Sequence, residues 1–272
     1  MFLLGGCAGA PWIKNIQFVN EKGSVIWGLQ NIDIESQESR LPDYEKITYE
    51  VKWLGLPVGT LTTSIIGIKN FNGRDAYVLE ATMKSNAFIS RIYKIEDRFV
   101  SYMDVEKLYT LRHEVYRRDG SYKKDAITEF DQENHKAHFK NFIDKSEKTF
   151  DIPEGVHDVL SAYYYFRLLP IKVGGKADYH VCNNESNYQF FSLVKQKVLM
   201  RLPNSGAKEE KAFLMQPYAL FKGEQVKKAN VKAYFSLEKK RIPLLVILKG
   251  PIFTEVTISL IKIEEKQASP GI

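Results

Sequence analysis

Cysteine is scarce in this chain: 272 residues contain two, Cys7 and Cys182. A disulfide framework is therefore not what holds the fold together. Long apolar runs are missing too. No stretch approaches the roughly 20 residues a membrane-spanning helix needs, so any membrane attachment has to come through Cys7. The net charge of +6 arises from Lys and Arg scattered among acidic residues, with small clusters at Arg117, Arg118, Lys123, Lys124 and at Lys239, Lys240, Arg241. These fall at expected hairpin ends, where charge is ordinarily solvated. A nucleic-acid partner would need a basic stripe within a recognisable binding motif, and neither is present. No fixed-period repeat marks a propeller or solenoid.

Motifs for chemistry are equally thin. His157, Asp158 and Ser161 lie close together in sequence, but no Gly-x-Ser-x-Gly elbow surrounds Ser161, and such residues in a first helical turn normally serve as caps. His135 and His138 stand three apart on an expected strand and so point to opposite faces, which keeps them from sharing a metal. His113 and His180 belong to no ligand cluster. Cys182 sits in an apolar pattern and reads as a small core residue; a reactive thiol, the alternative, would want a cationic and exposed setting. No enzyme activity, cofactor or metal is expected.

What is present begins at Cys7. The preceding Leu4, Gly5 and Gly6 resemble a bacterial lipobox, in which the thiol takes a diacylglycerol. The apolar run ahead of it is short and carries no Lys or Arg, whereas a secretory signal has a basic segment and a longer apolar core. Residues 1–7 are therefore expected to be part of a signal that starts upstream; the alternative is an ordinary N-terminus with an incidental cysteine. Each acyl chain would add about 0.8 kcal/mol per buried methylene, and two or three chains anchor stably where one does not. Ala8 follows the cysteine rather than Asp, which by the familiar sorting rule implies the periplasmic face of the outer membrane.

Residues 8–44 carry no sustained period and read as a tether, with Ser36 to Arg40 and Pro42 as a polar connector. Residues 45–264 form one β-rich domain and 265–272 a tail. From Glu45 onward apolar and polar residues alternate, the mark of strands with one buried face. Tyr49, Val51 and Trp53 are assigned to the inner face of the first strand. Asn70 to Gly73 and Asp119–Gly120 supply reversals suited to tight turns. Strands are expected at 58–68, 76–85, 99–103, 111–118, 122–130, 137–143, 148–152, 188–200, 211–216, 231–237, 243–249 and 255–263. Short links favour antiparallel neighbours. One segment breaks the rule: Asp158 to Leu169 has helical spacing, with Pro153 and Gly155 before it and Pro170 after it. A shorter helical turn is expected near 87–93. The fold class is mainly β, a large antiparallel curved sheet or incomplete barrel, with the helix packed on its concave side.

The segment HDVLSAYYYFRLLPIKVGG (157–175), with YEVKWLGLPVG (49–59), Phe130–Asp131 and RIPLLVILKGPIF (241–253), resembles the bacterial domain-of-unknown-function family numbered 3108. The likeness extends over residues 45–263. It implies an exported envelope protein, in some members a lipoprotein, and no established chemistry. Lys239 and Lys240 stand where the family usually has an Asp before the Arg-Ile-Pro element.

On the helix, Asp158, Ser161, Tyr164 and Arg167 fall at three-residue steps and make one slanting polar stripe. Asp158 near the N-terminus and Arg167 near the C-terminus both suit the macrodipole. Two readings follow. Asp158 or Ser161 satisfies free backbone amides while Arg167 pairs with a strand carboxylate; or the stripe borders a pocket in which Arg167 holds an anionic headgroup. The 15 Tyr and 16 Phe likewise divide between core packing and an apolar concavity for an acyl chain. The expected protein is thus an envelope lipoprotein anchored through acylated Cys7, binding a lipid or other apolar molecule. An assembly factor acting by protein contact is the alternative, and a hydrolase a more distant one.

Overall fold

The computed structural model describes residues 40–202, 209–226, 230–249 and 255–265. Cys7 and most of the tether lie outside them. Strands β1 (Glu45–Trp53), β2 (Leu56–Phe71), β3 (Arg74–Ser85), β4 (Glu96–Asp104), β5 (Thr110–Asp119), β6 (Tyr122–Asp131), β7 (Lys136–Asn141) and β8 (Glu147–Asp151) form one antiparallel meander. After helix α1 (Val159–Leu168) come β9 (Lys176–Asn183), β10 (Ser186–Arg201), β11 (Glu209–Phe221), β12 (Glu224–Gln225), β13 (Asn230–Ser236), β14 (Pro243–Lys249) and β15 (Glu255–Glu265). The second series returns to lay β15 against β1, which joins both halves into a single 15-stranded sheet in which the two-residue β12 only edges β11.

This path leaves β8 and β9 as the two free edges, and they are also the strands that α1 connects. Residues 152–158 run between them. The His157 amide donates to His180 O and the Cys182 amide to His157 O, while the Thr110 amide donates to Val156 O. The sheet is thereby curled around the helix and stitched by a loop rather than by a ladder, an incomplete barrel as the alternation predicts. Long, bulged strands permit that curl. At the bulge in β2 between Ile65 and Gly67, Gly67 takes φ +149°, a backbone state side chains rarely adopt. At Gly59 the neighbouring strand approaches so closely that an added Cβ would lie 2.2 Å from Lys84 O.

The expected strands are present, the two-residue β12 is added to them, and two larger differences stand out. β9 is not among the expected strands, although Ala177, Tyr179 and Val181 alternate with Lys176, Asp178 and His180. Trp53, assigned to the inner face of β1, is 41% exposed, because the strand ends there and its side chain sits on the hairpin tip. The buried face of β1 is instead Glu45, Ile47, Tyr49 and Val51, so the alternation carries a carboxylate into the core. The short turn near 87–93 is a 3-10 turn at Ile89–Arg91.

Helix α1 forms where expected. Asp158 is its N-cap, and Leu169, held extended before Pro170, ends it. The helix reaches both halves of the sheet. Leu160, Tyr164 and Leu168 pack with Leu41, Ile65, Tyr77, Leu79 and Met103, whereas Phe166 packs with Val194, Phe213 and Phe235.

Candidate functional site

Between α1 and the concave sheet lies a cavity of about 720 Å³, lined mostly by apolar and aromatic side chains. That is within the range of small-molecule sites, roughly 300–1,000 Å³. The helix presents Val159, Leu160, Ala162, Tyr163 and Phe166 to it, and the sheet contributes Leu61, Phe99, Val115, Phe130, Met215 and Ile258 among others. One end reaches Arg117 and Lys124 beside the β5–β6 tip and Asn183 to Glu185 at the β9–β10 turn. In an antiparallel meander alternate turns share one end, so these tips lie on the same rim as those between β1 and β2, β3 and β4, and β7 and β8. That rim exposes Leu56, Phe88, Ile92, Phe142 and Ile143.

The polar stripe of the helix faces elsewhere, for none of Asp158, Ser161, Tyr164 and Arg167 lines the cavity. Asp158, 1% exposed, accepts at Oδ1 from the amides of Leu160 (2.7 Å) and Ser161 (3.2 Å) and from the Ser101 hydroxyl (2.7 Å). Its Oδ2 accepts from Thr110 Oγ1 at 2.9 Å, and His113 Nδ1 stands 3.3 Å from Oδ1. Burial alone would push this carboxyl up; His113 and the hydroxyls of Ser101, Thr110 and Ser161 outweigh it and hold the pKa below the ordinary value. Ser161 shares a 2.5 Å contact with Thr110 Oγ1 and donates to Asp158 O. The N-terminal end of the stripe thus caps the helix and ties it to β4 and β5.

At the other end Arg167 makes a bidentate pair with Glu45, 2.6 and 2.7 Å, and Nε donates to Lys240 O at 2.9 Å. Both residues are buried, at 2% and 0% side-chain exposure. Desolvation pulls the guanidinium down, but Tyr163 and the Glu45 carboxylate prevail and its pKa is raised. Arg241 in turn donates to Leu169 O, so the helix C-terminus and the β13–β14 turn hold each other. Of the two readings of the stripe, these contacts are those of the first.

His157, Asp158 and Ser161 are not arranged for acyl transfer. The His157 ring stacks on Tyr165 with centroids 4.3 Å apart, and burial pulls its pKa down to about 4. Cys182 lines the cavity as a buried thiol pushed up to about 12, first by burial and then by Asp158 and Glu185, the opposite of an activated nucleophile. Among the described residues no group of three or more His, Cys, Asp and Glu is placed to hold a metal.

The residues not anticipated are Tyr49, Thr63 and Tyr163. All three line the cavity, and their hydroxyl oxygens are buried without a hydrogen bond of normal geometry. They stand close enough to perturb one another, and the Tyr164 hydroxyl, similarly unmatched, joins them. Burial raises the pKa of all three tyrosines and outweighs the Arg167 guanidinium, which pulls each of them down. The available signal was Glu45: a carboxylate in phase with Ile47 and Tyr49 marks where the inner face of β1 turns polar.

The sequence profile of the family DUF3108, described as a protein of unknown function, matches residues 48–256. No curated protein matches the chain. Among solved structures, the chain is similar to a β-barrel-like protein of domain of unknown function DUF1849 from Brucella abortus. The identity is 6%, the match covers 82% of this chain and 98% of that one, and the TM-score is 0.53. At that identity the likeness is one of fold alone. A candidate lipoprotein from Parabacteroides distasonis is matched at 6% identity over 84% of this chain and 100% of that one, with a TM-score of 0.36, too loose a superposition to argue from. With the profile spanning most of the sheet and the whole helix, the chain belongs to the DUF3108 family.

Proposed function

We propose that this protein is an envelope lipoprotein, anchored through acylated Cys7 at the periplasmic face of the outer membrane, that holds a lipid or another apolar molecule between α1 and the curved sheet. The observation that carries the reading is the cavity: an apolar space of about 720 Å³ beside the helix. Side chains in a well-packed core leave few voids larger than a water molecule. A protein whose core served stability alone would have filled this one with larger residues at Ala81, Ala162 and Ala233, which all border it.

A second reading, an assembly factor working by protein contact, draws on the exposed rim. Leu56 is 68% exposed, Phe88 68% and Ile92 79%, and Asn86 joins the β1–β2 and β3–β4 tips through its bond to Pro57 O. Apolar residues at linked tips are characteristic of an interaction surface. The cavity favours the first reading, because surface contact alone would leave it without a role.

Native mass spectrometry of the full-length protein purified from the bacterial envelope tests the proposal. The expected spectrum shows acylation of Cys7 together with a non-covalently held amphiphile that leaves on collisional activation. A mature protein with an unmodified Met1 contradicts the anchor, and an acylated protein that never carries a ligand contradicts the binding role.

A further inference from the structure

Resting on the reading of the cavity as a ligand site, we infer that Tyr49, Thr63 and Tyr163 form a recognition pole for the uncharged hydrogen-bonding end of an amphiphile, a hydroxyl or an ester or amide carbonyl at the end of an apolar chain. Thr63 faces Ile47 across the β1–β2 ladder and Tyr49 faces Leu61, so both hydroxyls lie on the inner wall opposite Tyr163 of the helix. Tyr49 is 3% and Thr63 6% exposed, and the three hydroxyl oxygens meet only one another, without a hydrogen bond of normal geometry. Leaving buried hydroxyls unmatched is costly, which is why natural cores almost always satisfy them. Here several collect at one place, and that place borders the large apolar space beside the helix.

The charge balance decides the class of ligand. Arg167 is the cation nearest this pole, and its guanidinium is engaged in two bonds to Glu45 and a third to Lys240 O. The pair is electrically balanced, so at this pole no net positive charge awaits an anion, and a carboxylate brought there would meet the Glu45 carboxylate instead. Phenolic hydroxyls whose pKa values are raised stay protonated and can donate. A neutral acceptor answers both conditions. The pole lies toward the Glu45 end of β1, away from the hairpin tips where Arg117 and Lys124 stand, which implies entry with the polar end leading.

The test compares dodecanol, methyl dodecanoate, dodecanoate and dodecane as displacers of N-phenylnaphthylamine from the full chain. The same series is run on Tyr163→Phe and on Thr63→Val, which keep side-chain shape, with thermal unfolding as a control. One or two hydrogen bonds predict that dodecanol and the ester bind about 3- to 30-fold tighter than dodecane. Each variant should shrink that preference by about threefold or more while dodecane binding and melting temperature hold. Equal binding of dodecanol and dodecane by the wild-type protein overturns the pole but leaves the cavity reading standing. Dodecanoate as the tightest displacer overturns the uncharged class. Failure of every probe to bind overturns the pole together with the cavity reading on which it rests.

Discussion

The two ends of α1 and its middle handle buried polarity differently. Asp158 and Arg167 are almost wholly enclosed, and their charged atoms are bonded: Asp158 by two amides and two hydroxyls, Arg167 by Glu45 and a backbone carbonyl. In the middle, Tyr163 and the facing Tyr49 and Thr63 keep hydroxyls that meet only one another and make no hydrogen bond of normal geometry. The ends are attachments, because every atom that costs energy to bury has a partner. The middle is a surface, since its polar atoms are held in readiness beside an open apolar space. One ten-residue helix therefore does two jobs, and substitution should separate them.

The largest expected effect is at the C-terminal attachment. Arg167→Ala leaves Glu45 charged and buried, and removing one partner of such a pair costs about 3–5 kcal/mol. Chemical denaturation of Arg167→Ala beside an Arg167→Met, Glu45→Met double variant checks this. The double variant is expected to recover most of the loss, because two apolar residues of similar volume remove both charges at once. A double variant as unstable as the single one would mean that the pair contributes more than mutual neutralisation.

Next is the N-terminal attachment. Asp158→Ala removes the helix cap and strands the hydroxyls of Ser101 and Thr110, for a loss of about 2–3 kcal/mol; Asp158→Asn, which can still accept from the amides, should lose less. Both are read from denaturation midpoints.

The adjoining His157 gives a pH signature. Its folded pKa of about 4 lies below the ordinary 6.5, so the unfolded chain binds the proton first. Stability is then full above about pH 6.5 and falls as pH drops from there toward 4. About 1–2 kcal/mol should be lost between pH 7 and pH 5. His157→Phe, which keeps the stack on Tyr165, is expected to flatten that slope.

The smallest stability effect belongs to the middle of the helix. Tyr163→Phe removes an unmatched hydroxyl and should change stability by less than about 1 kcal/mol in either direction. A loss as large as that of Asp158→Ala would show that the hydroxyl is a structural attachment after all, and the contrast between ends and middle would dissolve.

Much of this was legible in the sequence. Two-residue alternation placed most of the strands, and Pro153, Gly155 and Pro170 bounded the helix within a residue of its limits. The three-residue steps identified Asp158 and Arg167 as one stripe, with a cap and a strand carboxylate among their readings. Two things were hidden. The partner of Arg167 lies 122 residues away, and only a carboxylate in phase with Ile47 and Tyr49 hinted at it. The cavity face was hidden more deeply, since Tyr163 in the run Tyr163 to Phe166 looks the same as its neighbours until the curl of the sheet decides which ring meets the concavity. Local period fixes which face of an element is apolar. It does not say whether the space that face looks onto is filled.

That space is the centre of the account, and filling it is the most direct test. Leu61 and Val115 are only partly buried and border the cavity from β2 and β5. A Leu61→Trp, Val115→Phe variant extends both side chains into it without touching either helix attachment. Binding of N-phenylnaphthylamine by the full chain should be saturable in the wild-type protein and at least about tenfold weaker in the variant, with the unfolding transition preserved. Undiminished binding by a folded, filled variant would place the apolar site elsewhere, on the rim of hairpin tips, and would contradict the role assigned to the cavity.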